Sequence, residues 1–479
     1  MGNRDSLQST SIHILDDYSL LNIFYLYRLA IFDGDGYDDE FIPGGRDWDR
    51  ERWWYKLAQV CQRWRTLMLG STCYLGLCLV CTHGTPVADM LAHSPPLPLA
   101  IDYSDEDRDV TAEEDEILLA LKQRDRVRRI RLHLPVPELQ RLIMVVDEEY
   151  AALEYLIMVS STVDESTALM LPETLQAPRL HHLLLFGFAI PMESRLLTNA
   201  VGLISLALTV PQSAYFQPSI LLQQLSFMPQ LETLLIDFLF PVPDHDVEGQ
   251  VMHTPITTHV ILPNLRFFSF RGVNAYLEAI ICRITTPCLE SLSIEFFKQR
   301  TFSVPRLLQF ISTTENLRFK SAKFKFSGDD VDVEVYPRDA ADTGMYSLSV
   351  CVRCSHLGSQ VSSVAQIFNS LGQIFSTVEH LNLELGTRSR SSEEHNEVDR
   401  TEWHKLFRSF SKVKTLRVGD GLVEELSCSL RVDNGEVPLE LLPDLQSLTY
   451  SGSGHAGDSF TSFIDARQNA GHPVTLHRS

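Results

Sequence analysis

One phrase recurs along the chain and constrains its fold more than any other feature. Pro178-x-Leu180-x-x-Leu183-x-Leu185 returns as Pro229/Leu231/Leu234/Ile236, Pro263/Leu265/Phe268/Phe270, Pro287/Leu289/Leu292/Ile294 and Pro443/Leu445/Leu448/Tyr450. Looser copies without the proline stand at Val127/Ile130/Leu132, Leu153/Leu156/Met158, Leu203/Leu206/Leu208, Val378/Leu381/Leu383 and Val413/Leu416/Val418. The last two apolar positions are two apart, so a short strand turns both to one side. The first, three residues earlier, anchors the bend entering the strand, and the proline, which has no N–H, suits a turn outside the ladder. Intervening apolar segments such as Ser219 to Phe227 and Val304 to Ile311 are long enough for short helices. A single strand-plus-helix unit cannot bury its apolar face, whereas stacked units can.

From Val127 to Leu317 the first apolar positions recur at intervals between 23 (Leu180 to Leu203) and 34 residues (Leu231 to Leu265), mostly within the span of leucine-rich repeats. The rhythm breaks at Phe324 to Val352. There Val331 to Val335 and Tyr346 to Val352 alternate at period two across the polar loop Pro337 to Gly344, and predict a hairpin or enlarged repeat. Phe460, Phe463 and Ile464 share a helical face after Asp458 as N-cap, and the extended Pro473 to Leu476 follows; together they predict a terminal cap over 456–479.

The N-terminal quarter reads differently. Leu20, Ile23, Phe24 and Tyr27 recur at i, i+3, i+4, i+7, and so do Leu57, Val60, Cys61 and Trp64, continued by Leu67 and Met68. Two short helices with broad apolar stripes must pack on each other or on a partner. Around them lie the acidic segments Asp33 to Asp49 and Asp102 to Glu116, read as solvated loops. The expected organisation is a flexible 1–10, a helical motif over 11–70 with an acidic insertion at 33–49, a connecting region over 71–124, and a repeat array over 125–479.

Lys+Arg 41 against Asp+Glu 62 gives a net charge of -21 in 479 residues, which phosphate backbones and anionic membranes repel. Nucleic acid and membranes are therefore not expected partners, and no stretch approaches the roughly 20 apolar residues of a membrane span. The nine cysteines, an odd number mostly inside apolar runs, read as small buried hydrophobes of a reducing compartment. With no secretory pattern at Met1 to Ser19, the expected location is cytoplasmic, nuclear or both. The opening Gly2 and Ser6 fit a loose myristoylation pattern that reads as chance in a polar tail.

Residues 15 to 67 resemble an F-box, a small helical motif that docks on the Skp-type adaptor of cullin-based ubiquitin ligases. The matching residues are Leu15, then Ile23-Phe24-Tyr25-Leu26, then Val60-Cys61-Gln62-Arg63-Trp64-Arg65. Asp16 stands at the position of the family's proline, and the acidic insertion lengthens the interval between the blocks, which costs a surface loop little. The repeats resemble leucine-rich repeats, with Phe188, Leu239, Val273 and Phe297 at the family's asparagine or cysteine position. The two resemblances imply an α/β fold: a small N-terminal all-α motif, then a leucine-rich-repeat solenoid with a curved parallel sheet and short helices outside. They imply a noncatalytic substrate receptor of an SCF-type ubiquitin ligase, partnered by the adaptor, through it a cullin, and a target protein of unknown identity. Adaptor contact would fall to Leu15, Leu20, Ile23, Phe24, Leu26, Val60, Cys61, Trp64 and Leu67. The alternatives are a repeat scaffold unconnected with ubiquitin, whose N-terminal helices only cap the array, and an enzyme.

Residues flanking the last apolar position of each phrase face away from the core. This places Leu184 and Phe186, Leu235 and Asp237, Ser269 and Arg271, Ser293 and Glu295, and Asn382 and Glu384 on one concave target-binding face, with Leu184, Phe186 and Leu235 exposed. Other signals point to ordinary structure. Gly452 to Gly457 follows a strand but has no acidic residue about 20 positions on, so it reads as a turn rather than a dinucleotide site. Cys351, Cys354 and His356 lack a second ligand pair for zinc, and Asp33 to Asp38 lacks the glycine and glutamate of a calcium loop. The basic run Lys122 to Arg131 reads as the polar face of a repeat. No nucleophile–base set is visible, so neither catalysis nor a cofactor is expected.

Overall fold

The computed structural model describes residues 15–32, 52–103, 113–161, 168–189, 194–240, 257–297, 299, 301–337, 346–386, 400–431, 441–451 and 460–478. The N-terminal 1–10, the insertion 33–49, residues 338–344 of the hairpin loop, the Gly452 to Gly457 turn and Asp458 lie outside them. The chain is a mixed α/β structure dominated by a long, mostly parallel sheet with helices. It divides into two compact units, Met1–Thr162 with Thr174–Leu180, and Val163–Glu173 with His181–Ser479.

In the first unit, helices Asp17–Phe32, Trp53–Ala58, Gln62–Gly70 and Thr72–Leu75 precede the sheet. Asp16 accepts hydrogen bonds from the Ser19 backbone N–H at 2.8 Å and the Ser19 hydroxyl at 2.9 Å, so it caps the first helix at the position where the resemblance calls for proline. The bond from the Ser19 N–H holds its carboxyl below the usual carboxylate range. Gly76 ends the fourth helix at φ 61, a left-handed C-cap, with Leu77 N–H donating to Thr72 O at 3.0 Å. Trp54 Nε1 donates to Cys78 O at 3.1 Å and ties the helices to the first strand.

Strands Leu79–Cys81, Leu99–Tyr103, Val127–Leu134 and Tyr155–Ser160 follow, each parallel to its neighbour. The expected connecting region 71–124 thus contains two strands, with helices Val87–His93 and Glu114–Leu121 after them. These strands escape the phrase because every residue in them is buried, which removes the apolar–polar alternation.

In the second unit every phrase becomes a strand. The sheet runs in the order His182–Phe186, Ser205–Val210, Thr233–Phe238, Phe267–Gly272, Ser291–Phe296, Leu348–Arg353, Asp330–Tyr336, Ser321–Phe326, His380–Leu385, Thr415–Val418, Ser447–Tyr450 and Thr475–Arg478. All neighbours are parallel except Asp330–Tyr336, which is antiparallel to both of its own. The expected hairpin is therefore built into the middle of the sheet, and Pro473 to Leu476 leads into the final strand.

Register stacks like residues on like. Leu183, Leu206, Leu234, Phe268, Leu292 and Leu348 form one buried row, and Leu185, Leu208, Ile236, Phe270, Ile294 and Val350 the next. Burying such side chains contributes roughly 1.5–3 kcal/mol each. Phe188, Val273 and Phe297 are also buried, so apolar packing fills positions where the repeat family carries asparagine or cysteine. Helices connect through side-chain caps: buried Glu278, in Asn274–Ile281, accepts from the Arg306 and Leu307 backbone N–H groups, both at 2.9 Å, at the start of Pro305–Thr313. Burial raises its pKa, and those N–H groups act the other way.

Candidate interaction surfaces

Two surfaces collect the residues singled out by sequence. The first lies on the N-terminal helices. Leu20 and Phe24 are fully packed inside, which removes them as contacts for any partner. Phe24 meets Trp64 edge-on with ring centroids 4.9 Å apart, so Trp64 is half-buried in its own fold rather than a free anchor. Leu15, Cys61 and Leu67 are half-buried. The Leu15 carbonyl accepts from Arg63 Nη2 at 2.6 Å, and Arg63 pairs with Asp17 at 2.7 Å. Ile23 (44 %), Leu26 (62 %) and Val60 (58 %) stay exposed, together with Tyr18 and Tyr27. The helix therefore divides its apolar residues. Leu20 and Phe24 hold it down, while Ile23, Leu26 and Tyr27, at i, i+3, i+4, face out.

The second surface is the polar face of the second unit's sheet. One register row runs Leu184, Ala207, Leu235, Ser269, Ser293, Ser349, Glu334, Lys323, Asn382 and Arg417. The adjacent row runs Phe186, Thr209, Asp237, Arg271, Glu295, Cys351, Asp332, Lys325 and Glu384. The ten residues assigned to target binding do share this face, but none is fully exposed. Leu184, Phe186 and Leu235, expected open, are half-buried.

Its charged members are engaged with one another. Arg271 Nε lies 3.4 Å from Asp237 and 3.3 Å from Glu295, its guanidinium sits 5.6 Å from the Phe297 ring centroid, and Arg353 pairs with Glu295. Asp237 is nevertheless pushed up to about 6, because burial and the nearby Glu295 outweigh the attraction of Arg271 and Arg353. Burial likewise raises Asp332, although Cys351 hydrogen-bonds to it, and raises the Cys351 thiol, which makes that cysteine a poor nucleophile. Lys323 reaches Glu384 at 3.0 Å, and Asn382 Nδ2 donates to Glu384 at 2.9 Å. Burial raises Glu384, but these two contacts carry it below the ordinary value. Sequence reasoning named Asp237, Arg271, Glu295 and Glu384 but missed Lys323, Lys325, Asp332 and Arg353, which lie in the inserted antiparallel part.

The basic run of the first unit is also engaged. Arg124 pairs with Asp147 at 3.1 Å and with Glu148, Arg128 with Glu154 at 2.7 Å, and Arg131 lies 3.9 Å from Asp102. Arg129 covers the Tyr155 ring at 4.5 Å. The expectation that the cysteines are buried holds for Cys78, Cys81 and Cys354, whereas Cys73, Cys282, Cys288 and Cys428 are exposed. Among the described residues no group of three or more His, Cys, Asp or Glu could hold a metal ion, and no helix is long and apolar enough to cross a membrane. No family model and no curated protein matches the chain.

Proposed function

We propose that the protein is a noncatalytic substrate receptor of an SCF-type ubiquitin ligase, docking a Skp-type adaptor through the N-terminal helices and a target protein through the sheet face of a leucine-rich-repeat solenoid. The observation that carries the reading is the divided helix, on which Ile23 and Leu26 remain open while Leu20 and Phe24 anchor the fold, together with the exposed Val60 in the turn before Gln62–Gly70. Exposed apolar groups gathered at the F-box-like blocks are what a docking surface needs. Strands in register, parallel except for Asp330–Tyr336, support reading the sheet face of the second unit as the surface for a macromolecular partner. The receptor would act by raising the target's effective concentration near the conjugating machinery, with ubiquitin chemistry on other subunits.

A scaffold whose helices only cap the strands is favoured by a different observation, the bond from Trp54 Nε1 to Cys78 O. The double variant Ile23→Asp, Leu26→Asp separates the two. The receptor reading expects wild type to copurify with a Skp-type adaptor and the variant to lose at least about tenfold in affinity, roughly 1.4 kcal/mol, with an unchanged melting temperature. Retained copurification of a folded variant, or no adaptor bound to wild type, leaves the scaffold.

A further inference from the structure

A cleft of about 550 Å³ opens in the second unit against the first half of helix Leu357–Ser370. Ser359, Ser362, Ser363 and Gln366 line it, at i, i+3, i+4 and i+7, so one helix face presents three hydroxyls and an amide to it. This face is unusual in what it leaves unsatisfied. Ser363 is only 8 % exposed, yet among the described residues its hydroxyl has no hydrogen-bond partner. Across the cleft, Gln299 Nε2 is buried and has no partner among the described residues, which is costly unless something outside the chain satisfies it. Gln366 Oε1 already accepts from the Phe302 N–H at 3.1 Å, which leaves its Nε2 hydrogens as its free donors.

The start of the helix adds donors of the same sign. His356 gives no side-chain cap, and the first intrahelical bond, Gln360 N–H to His356 O at 2.9 Å, leaves the N–H groups of Leu357, Gly358 and Ser359 ahead of it. Gly358 lines the cleft, so a ligand meets backbone there without a side chain between. The site is held in place from beneath: buried Gln360 donates from Nε2 to Cys354 O at 2.8 Å and Ser327 O at 2.7 Å.

Among the described residues the lining is rich in donors and carries neither a carboxylate nor a fixed cation. Amide and backbone N–H groups can only donate, serine hydroxyls can turn to donate, and the positive end of a helix favours negative charge. We propose that this cleft binds a small oxyanion, a phosphate or carboxylate group, cradled by Ser359, Ser363, the Gln299 amide and the helix start. The inference does not rest on the ligase reading.

The test titrates the full chain with inorganic phosphate and, separately, acetate at constant ionic strength set by chloride, following both calorimetric binding and melting temperature. A saturable signal is expected. It should weaken about tenfold, roughly 1.4 kcal/mol, in Ser359→Ala, Ser363→Ala and vanish in Gln299→Glu, with the unliganded melting temperature of each variant measured to confirm that it folds. Saturation by phosphate alone assigns a tetrahedral ligand, and saturation by both admits carboxylates. Two results overturn the proposal: no saturation up to tens of millimolar of either anion, which makes the cleft water-filled only, or saturation unchanged in both variants, which places binding elsewhere.

Discussion

Asp237 should make the second unit less stable as the solution becomes less acidic, the reverse of an ordinary ion-paired carboxylate. In the fold its carboxyl titrates near 6, against 3.8 in the unfolded chain, with burial as the first cause. Between those values the native state holds a proton that the unfolded chain has released. The contribution to stability is therefore fully present below pH 3.8 and is lost as pH rises through about 6. A carboxyl shifted that far costs roughly 3 kcal/mol once ionised. Its side chain is 26 % exposed, and solvent screening lowers the figure to about 2 kcal/mol. Asp237→Asn keeps the shape and an oxygen for Arg271 but has no charge to bury, and Arg271 keeps Glu295 at 3.3 Å. Urea denaturation of both proteins at closely spaced pH isolates the effect, because titrations elsewhere cancel in the difference; urea, unlike a guanidinium salt, leaves the charges unscreened. The variant should gain on the wild type by about 2 kcal/mol between pH 4 and pH 7. A difference independent of pH would mean that the carboxyl titrates alike folded and unfolded. A difference of opposite sign would mean that pairing with Arg271 dominates burial, and either outcome refutes the reasoning.

Two further expectations concern buried polar atoms. Tyr276 is fully buried among Tyr215, Phe238 and Phe270, and its hydroxyl has no partner among the described residues; Tyr276→Phe should be neutral or stabilising by up to about 1 kcal/mol in thermal unfolding. Arg467, buried near the C-terminus, donates to the carbonyls of Leu442 at 3.0 Å, Pro443 at 2.9 Å and Leu445 at 3.3 Å; Arg467→Met should cost about 3 kcal/mol and raise amide exchange around Leu442, whose φ of 49 that arginine holds.

The strands were legible wherever one face is polar. Leu183 and Leu185, or Phe268 and Phe270, announce themselves because the residues between them are not buried. Leu79–Cys81 and Leu99–Tyr103 are hidden by the same rule, since burial on both faces erases period two. The membership of the polar face could be read from strand alternation, but its occupancy could not. Asp237 and Arg271 stand 34 positions apart, and Arg353 meets Glu295 across 58, so only register reveals that these charges neutralise one another. The apolar helix stripe was read whole, yet Leu20 and Phe24 go inward while Ile23 goes out. That division depends on Trp64, brought against Phe24 from beyond the acidic insertion.

The reversed strand Asp330–Tyr336 also governs how the second unit comes apart. Strands from His182 to Phe296 and strands from His380 onward are each a parallel run, and within the sheet they meet only through Leu348–Arg353, Asp330–Tyr336 and Ser321–Phe326. Loosening that strand would turn one cooperative melting event into two, with each run holding its own buried rows. Within the sheet the hairpin is the splice between the two runs, backed by helix Leu357–Ser370, which bonds through Gln366 to the Phe302 N–H at 3.1 Å.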